Sequence, residues 1–96
     1  MERRKSEELT DVLRRFMREA GLETPLNEYR ILASWGKVAG EQVQKFTTET
    51  FIRNQTLYVR LSSPALKSNL MMRRKELAEA LNHEVGAYVI TDITFI

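Results

Sequence analysis

Residues 47–96 read TTETFIRNQTLYVRLSSPALKSNLMMRRKELAEALNHEVGAYVITDITFI. The stretch divides into strand, two-residue turn, strand, long helix and strand. Phe46 to Arg53 is rich in Thr, Phe and Ile, the residues that fit a pleated, half-buried surface. Thr56 to Ser62 alternates, with Leu57, Val59 and Leu61 on one face. Asn54-Gln55 between them predicts a tight hairpin, although glycine suits its second position better than glutamine. Two-residue closure pairs Ile52 with Leu57 and Thr50 with Val59 on the inner face. The outer face then carries Phe51 beside Tyr58, Glu49 beside Arg60, and Arg53.

Ser63-Pro64 is a cap followed by a proline at the first helical position. One uninterrupted helix is expected from there to about Val85. Leu66, Leu70, Leu77 and Leu81 lie along its inner side, and Met71 and Met72 fill the flanks of the core. Asn82 to Ala87, containing Gly86, closes it. Tyr88 to Ile96 is the third strand, with Val89, Thr91, Ile93 and Phe95 on one face and Ile90, Asp92 and Thr94 on the other. A strand-helix-strand crossover is right-handed and makes its strands parallel. The second strand is therefore central, antiparallel to the first and parallel to the third.

Upstream, Ser6 caps a helix whose apolar stripe is Leu9, Val12, Leu13, Phe16 and Ala20. Gly21 ends it, and Thr24-Pro25 starts a second helix. Leu26, Tyr29, Leu32, Ala33 and Trp35 or Gly36 are its expected inner side. Gly36 and Gly40 predict a break, then a short turn through Val43. The order is helix, helix, strand, strand, helix, strand, an α+β fold with helices on one face of a three-stranded mixed sheet.

Ninety-six residues make one domain. The chain has no cysteine and a single histidine, His83. That composition excludes a disulfide framework and a thiolate metal site, and gives a hydrolase triad or a metal centre little to work with. Gly36-Lys37-Val38-Ala39-Gly40 lacks the preceding strand and the Lys-Ser/Thr of a phosphate loop. No enzyme and no cofactor are expected. No apolar run approaches the ~18 residues of a membrane span, so a soluble, cytoplasmic protein is expected. The net charge of +2 is a mild lean towards anionic partners.

Two groups of residues are candidates for binding. One is the basic run Arg73-Arg74-Lys75 with Lys67 on the same helix; the competing reading is a solvated helix face. The other is the outer sheet face with Arg53, Tyr58, Arg60 and Phe51. Aromatics among arginines suit single strands, whose bases stack and phosphates pair; cross-strand packing accounts for the same residues without a ligand. The stripe of the first helix suits a partner helix or a second copy, so a homo-oligomer is also open.

Several residues together carry a family likeness. They are Trp35-x-x-Val38-x-Gly40, Leu57-Tyr58-Val59, Ser63, Leu70, Leu81-Asn82, Gly86 and Ile93-Thr94-Phe95. In that order they resemble the DciA family of bacterial proteins, over nearly the whole chain. The resemblance implies a fold related to type II KH domains and a partner in the replicative helicase of the DnaB type. The implied function is that of an adaptor in DNA replication which recruits or loads the helicase and has affinity for DNA. Gln55 stands where the family turn usually has glycine. Nucleic-acid-binding KH domains have a Gly-x-x-Gly loop between two helices, where this chain is expected to have one continuous helix. Many relatives carry a longer basic extension than the arm Arg3-Arg4-Lys5, from which weak DNA binding is expected. The other classes that fit the residues are a general single-strand DNA- or RNA-binding module and a self-associating protein-interaction module.

Overall fold

A computed structural model describes residues 11–16 and 23–96. Residues 11–16 are helical. The elements that follow are α1 (Glu23–Ala39), α2 (Glu41–Phe46), β1 (Thr47–Arg53), β2 (Thr56–Leu61), α3 (Pro64–Met71), α4 (Arg74–Val85) and β3 (Asp92–Phe95). The sheet order is β1-β2-β3, antiparallel then parallel. The expected α+β architecture is present, with one helix more finely divided than expected. The basic arm at residues 1–5, the Ser6 cap and the Gly21 terminus lie outside the described residues.

The hairpin has the expected register. Ile52 pairs with Leu57, Thr50 with Val59, Phe51 with Tyr58 and Glu49 with Arg60. Asn54 and Gln55 both take positive φ, 51° and 60°, the left-handed pair of a type I′ turn. The turn serves the third strand as well. The Gln55 carbonyl accepts from the Thr91 N–H at 2.7 Å and from the Thr91 hydroxyl at 3.2 Å. At the far end, the Leu61 N–H donates to Ile96 O and the Ile96 N–H to Val59 O. The parallel pairing is thus anchored on both sides of the four-residue β3.

Leu57, Val59, Ile93 and Phe95 face the helices and are buried, together with Ile31 and Trp35 of α1 and Leu77, Leu81 and Val85 of α4. Trp35 is the expected core anchor. It is 1% exposed, and its Nε1–H donates to Thr47 Oγ1 at 3.1 Å while that hydroxyl donates to Val43 O at 2.8 Å. Burying an indole this way keeps its one polar group satisfied. Lys37 and Glu84 pair across α1 and α4, and the Lys37 ammonium holds the Glu84 carboxyl below the usual glutamate range, first by hydrogen bonding and then by charge.

Several expectations are corrected. The inner side of α1 is Ile31 and Trp35, with Leu32 and Val38 packed beside them, whereas Leu26, Tyr29 and Ala33 are exposed. Two stripes at helical spacing run side by side on this helix, and only the one aimed at α4 is buried. Met71 and Met72 face solvent, Met72 at 89% exposure. Ile90 is fully buried instead of sharing the outer face with Asp92 and Thr94. The cause is Asn82. Its Oδ1 accepts from the Val89 and Ile90 N–H groups at 3.0 and 3.1 Å, and its Nδ2–H donates to Ile90 O at 2.8 Å. The side chain takes the place of a neighbouring strand and resets the phase ahead of β3. Gly86 makes the turn into that segment at φ 78°, and Gly40 separates α1 from α2 at φ 104°, backbone regions that favour glycine.

The helix after Ser63 is not continuous. It stops at Met71 and restarts at Arg74. The Arg73 N–H bonds Leu70 O at 2.9 Å, a tighter i→i−3 closure, and Arg73 sits at φ −107°, ψ 10°. Between Leu70 and Leu77 the i+3 and i+4 places hold Arg73 and Arg74 rather than apolar residues. A straight helix aims those arginines at the core; the bend keeps them in water.

Candidate nucleic-acid interface

The bend creates a basic turn. Arg73, Arg74 and Lys75 are all exposed at the start of α4. Arg73 Nε lies 3.6 Å from Glu76 Oε2, Arg74 Nε 3.5 Å from Asp92 Oδ1, and Lys75 Nζ 3.7 Å from Asp92 Oδ2. Such loose, solvent-exposed ion pairs are worth about 0–1 kcal/mol each, so the cations stay available to other anions. Their position gives α4 no help either. The N-terminal turn of a helix carries the positive end of its dipole, where cations are disfavoured. Arg73 stands at the N-cap without a side-chain capping bond.

The turn reads Met71-Met72-Arg73-Arg74, bulky side chains and cations with no glycine. Lys67, half-buried on α3, does not share the Asp92 carboxylate.

On the sheet, Phe51 and Tyr58 stack with centroids 4.9 Å apart and planes 10° from parallel. The Arg53 guanidinium lies 5.9 Å from the Phe51 centroid, within cation–π range. Arg60 Nε donates to Glu49 Oε2 at 3.1 Å. The expected outer-face neighbours are therefore all in place.

Asp92 joins the two groups. It pairs with Thr56 across the β2–β3 ladder, and Thr56 pairs with Arg53 across the hairpin. At ~4.8 Å per strand, Arg53 and Asp92 sit about 10 Å apart along one row of the sheet. Arg74 and Lys75 attach to the end of that row through Asp92. The basic turn thus reaches the β3 edge at the hairpin end of the sheet, about two strand spacings from Arg53. Sequence reasoning missed Asp92 as the link; its signal was that it is the sole carboxylate after Glu84. Among the described residues, no group of three or more His, Cys, Asp or Glu side chains is placed to hold a metal ion, and no helix is long and apolar enough to cross a membrane.

Residues 8–95 match the family described as "Dna[CI] antecedent, DciA". The chain belongs to the DciA family. A relative in Corynebacterium glutamicum (strain R), called a UPF0232 protein, is 22% identical over 90 residues. That alignment covers 94% of this chain and 51% of the relative, so the chain spans about half the length of the curated relative it matches. The residues that carry the DciA likeness build the fold: Trp35 anchors the core, Asn82 holds the segment before β3, and Gly40 and Gly86 take positive φ.

Proposed function

We propose that this chain is a non-enzymatic adaptor in DNA replication that engages a DnaB-type helicase and touches DNA weakly through one end of its sheet. Membership of the DciA family supports the replication role and the helicase partner. The DNA contact is supported by two neighbouring features at the hairpin end of the sheet: Arg53 beside the stacked Phe51–Tyr58 pair, and Arg74 and Lys75 held at the β3 edge by Asp92. Arg73 and Arg60 flank them, and Lys67 is a peripheral member. A three-stranded mixed sheet covered on one face by helices accords with the KH relation.

The test has two parts. The chain and the purified replicative helicase are mixed and analysed by size exclusion; co-elution is expected, and separate elution at micromolar concentrations removes the adaptor reading. DNA affinity is then measured across a salt series with the parent and with Arg74→Glu/Lys75→Glu. Losing two phosphate contacts should flatten the log–log salt slope by roughly 1.4 on a single strand and about 1.8 on duplex. An unchanged slope removes the basic turn from the interface.

One observation favours a second reading. Val12, Leu13 and Phe16 on the helical segment are 59%, 53% and 60% exposed. A self-associating module uses such a stripe, and a molar mass that rises with concentration and reverts with Leu13→Glu supports it.

A further inference from the structure

We infer that the outer face of the sheet holds one unpaired nucleobase against Tyr58, in the space above Thr94. The inference rests on the DNA contact proposed above and names the form of nucleic acid that the site takes. The Phe51–Tyr58 centroid distance of 4.9 Å equals the spacing of adjacent strands. The two rings therefore stand as parallel plates, one on β1 and one on β2. The Arg53 guanidinium occupies a face of Phe51. Tyr58's other face is turned towards β3, where its register partner is Thr94. Thr94 is short and exposed, so no side chain of this row continues the stack. A flat ring seated above it lies one further strand spacing, about 4.8 Å, from Tyr58, within the 4.5–7 Å range of aromatic pairs.

The surroundings select a base over an uncharged ring. Arg53, Arg60, Arg74 and Lys75 stand against Glu49 and Asp92, four cations to two carboxylates. Asp92, with Arg74 and Lys75 attached, lies two residues before Thr94 at the start of β3, about 7 Å along the strand. The phosphate next to a base in the slot falls among these cations. A duplex hides its base faces within its own stack, so the slot takes single strands.

The experiment uses the full chain, a labelled ten-residue oligothymidylate and a blunt duplex of the same length, read by fluorescence anisotropy. The parent should bind the single strand more tightly than the duplex. Tyr58→Leu should weaken the single strand about tenfold, the loss of one stacked base, and leave the duplex unchanged. Thr94→Leu, which fills the slot with a side chain that has no π-face of its own, should do the same. Arg74→Glu should weaken both. In the parent complex the Thr94 methyl resonance should move upfield under the ring current of the base. If Tyr58→Leu and Thr94→Leu leave single-strand affinity intact while Arg74→Glu weakens both ligands, the slot is overturned and the DNA contact stands. A Thr94 methyl that does not shift on saturation overturns the slot too. If the parent binds neither ligand, both fall.

Discussion

Replacing Asn82 by alanine removes the side chain that ties the end of α4 to the segment leading into β3. Three hydrogen bonds go with it, from the Val89 N–H, from the Ile90 N–H and to Ile90 O. Val89 is half-buried, and water can replace its lost partner. Ile90 is fully buried, so its N–H and C=O are left unsatisfied at about 1–3 kcal/mol each. Taking 1.5 for each gives about 3 kcal/mol. Alanine returns about half a kcal/mol through its better helix propensity, leaving a net cost of about 2.5 kcal/mol. For a domain of this size that lowers Tm by roughly 10–20 °C. It is also a large share of the ~5–15 kcal/mol that holds a typical domain together. Urea titration followed by Trp35 fluorescence reads the loss, because Trp35 is the sole tryptophan and is buried. A cost under ~1 kcal/mol refutes the view that this side chain substitutes for a strand.

Two further perturbations are sharp. Gln55→Gly relieves a left-handed residue worth about 1–2 kcal/mol of strain and adds about 0.5–1 kcal/mol of chain entropy to lose, so urea unfolding should show a gain of about 0–1.5 kcal/mol in stability; a clear loss contradicts the turn assignment. Glu84 has a carboxyl held below its ordinary value by Lys37. A depressed folded value means that its contribution is present above the unfolded value and is lost as pH falls through the folded one. Glu84→Gln should therefore cost a little stability at neutral pH and bring the two proteins' Tm values together in acid. A difference that persists below the lowered value would show that charge is not the cause.

The hairpin could be read from sequence because strand periodicity and a two-residue turn together leave a single register, Ile52 with Leu57. The outer-face pair Phe51–Tyr58 followed from the same constraint. α1 was harder: of the expected inner side Leu26, Tyr29, Leu32, Ala33 and Trp35, only Trp35 is fully buried, beside Ile31 and Val38 of an adjacent stripe of the same period, and contact with α4 decides between the stripes. The break at Met72–Arg73 left a trace, the absence of an apolar residue between Leu70 and Leu77 on the inner side, but a seven-residue gap also fits an unbroken helix. Ile90 moved inward through a side-chain bridge from Asn82, which no periodicity records. The candidate site was legible as two separate patches. Their convergence was not, because Asp92 meets Arg74 and Lys75 only once β3 lies beside β2.

Under the proposed DNA contact, that aspartate bears on how long a bound strand stays. A phosphate arriving at Arg74 and Lys75 meets only a weak rival, but one tethered to the same sheet and always close enough to return. Such a neighbour leaves arrival nearly unhindered and quickens departure.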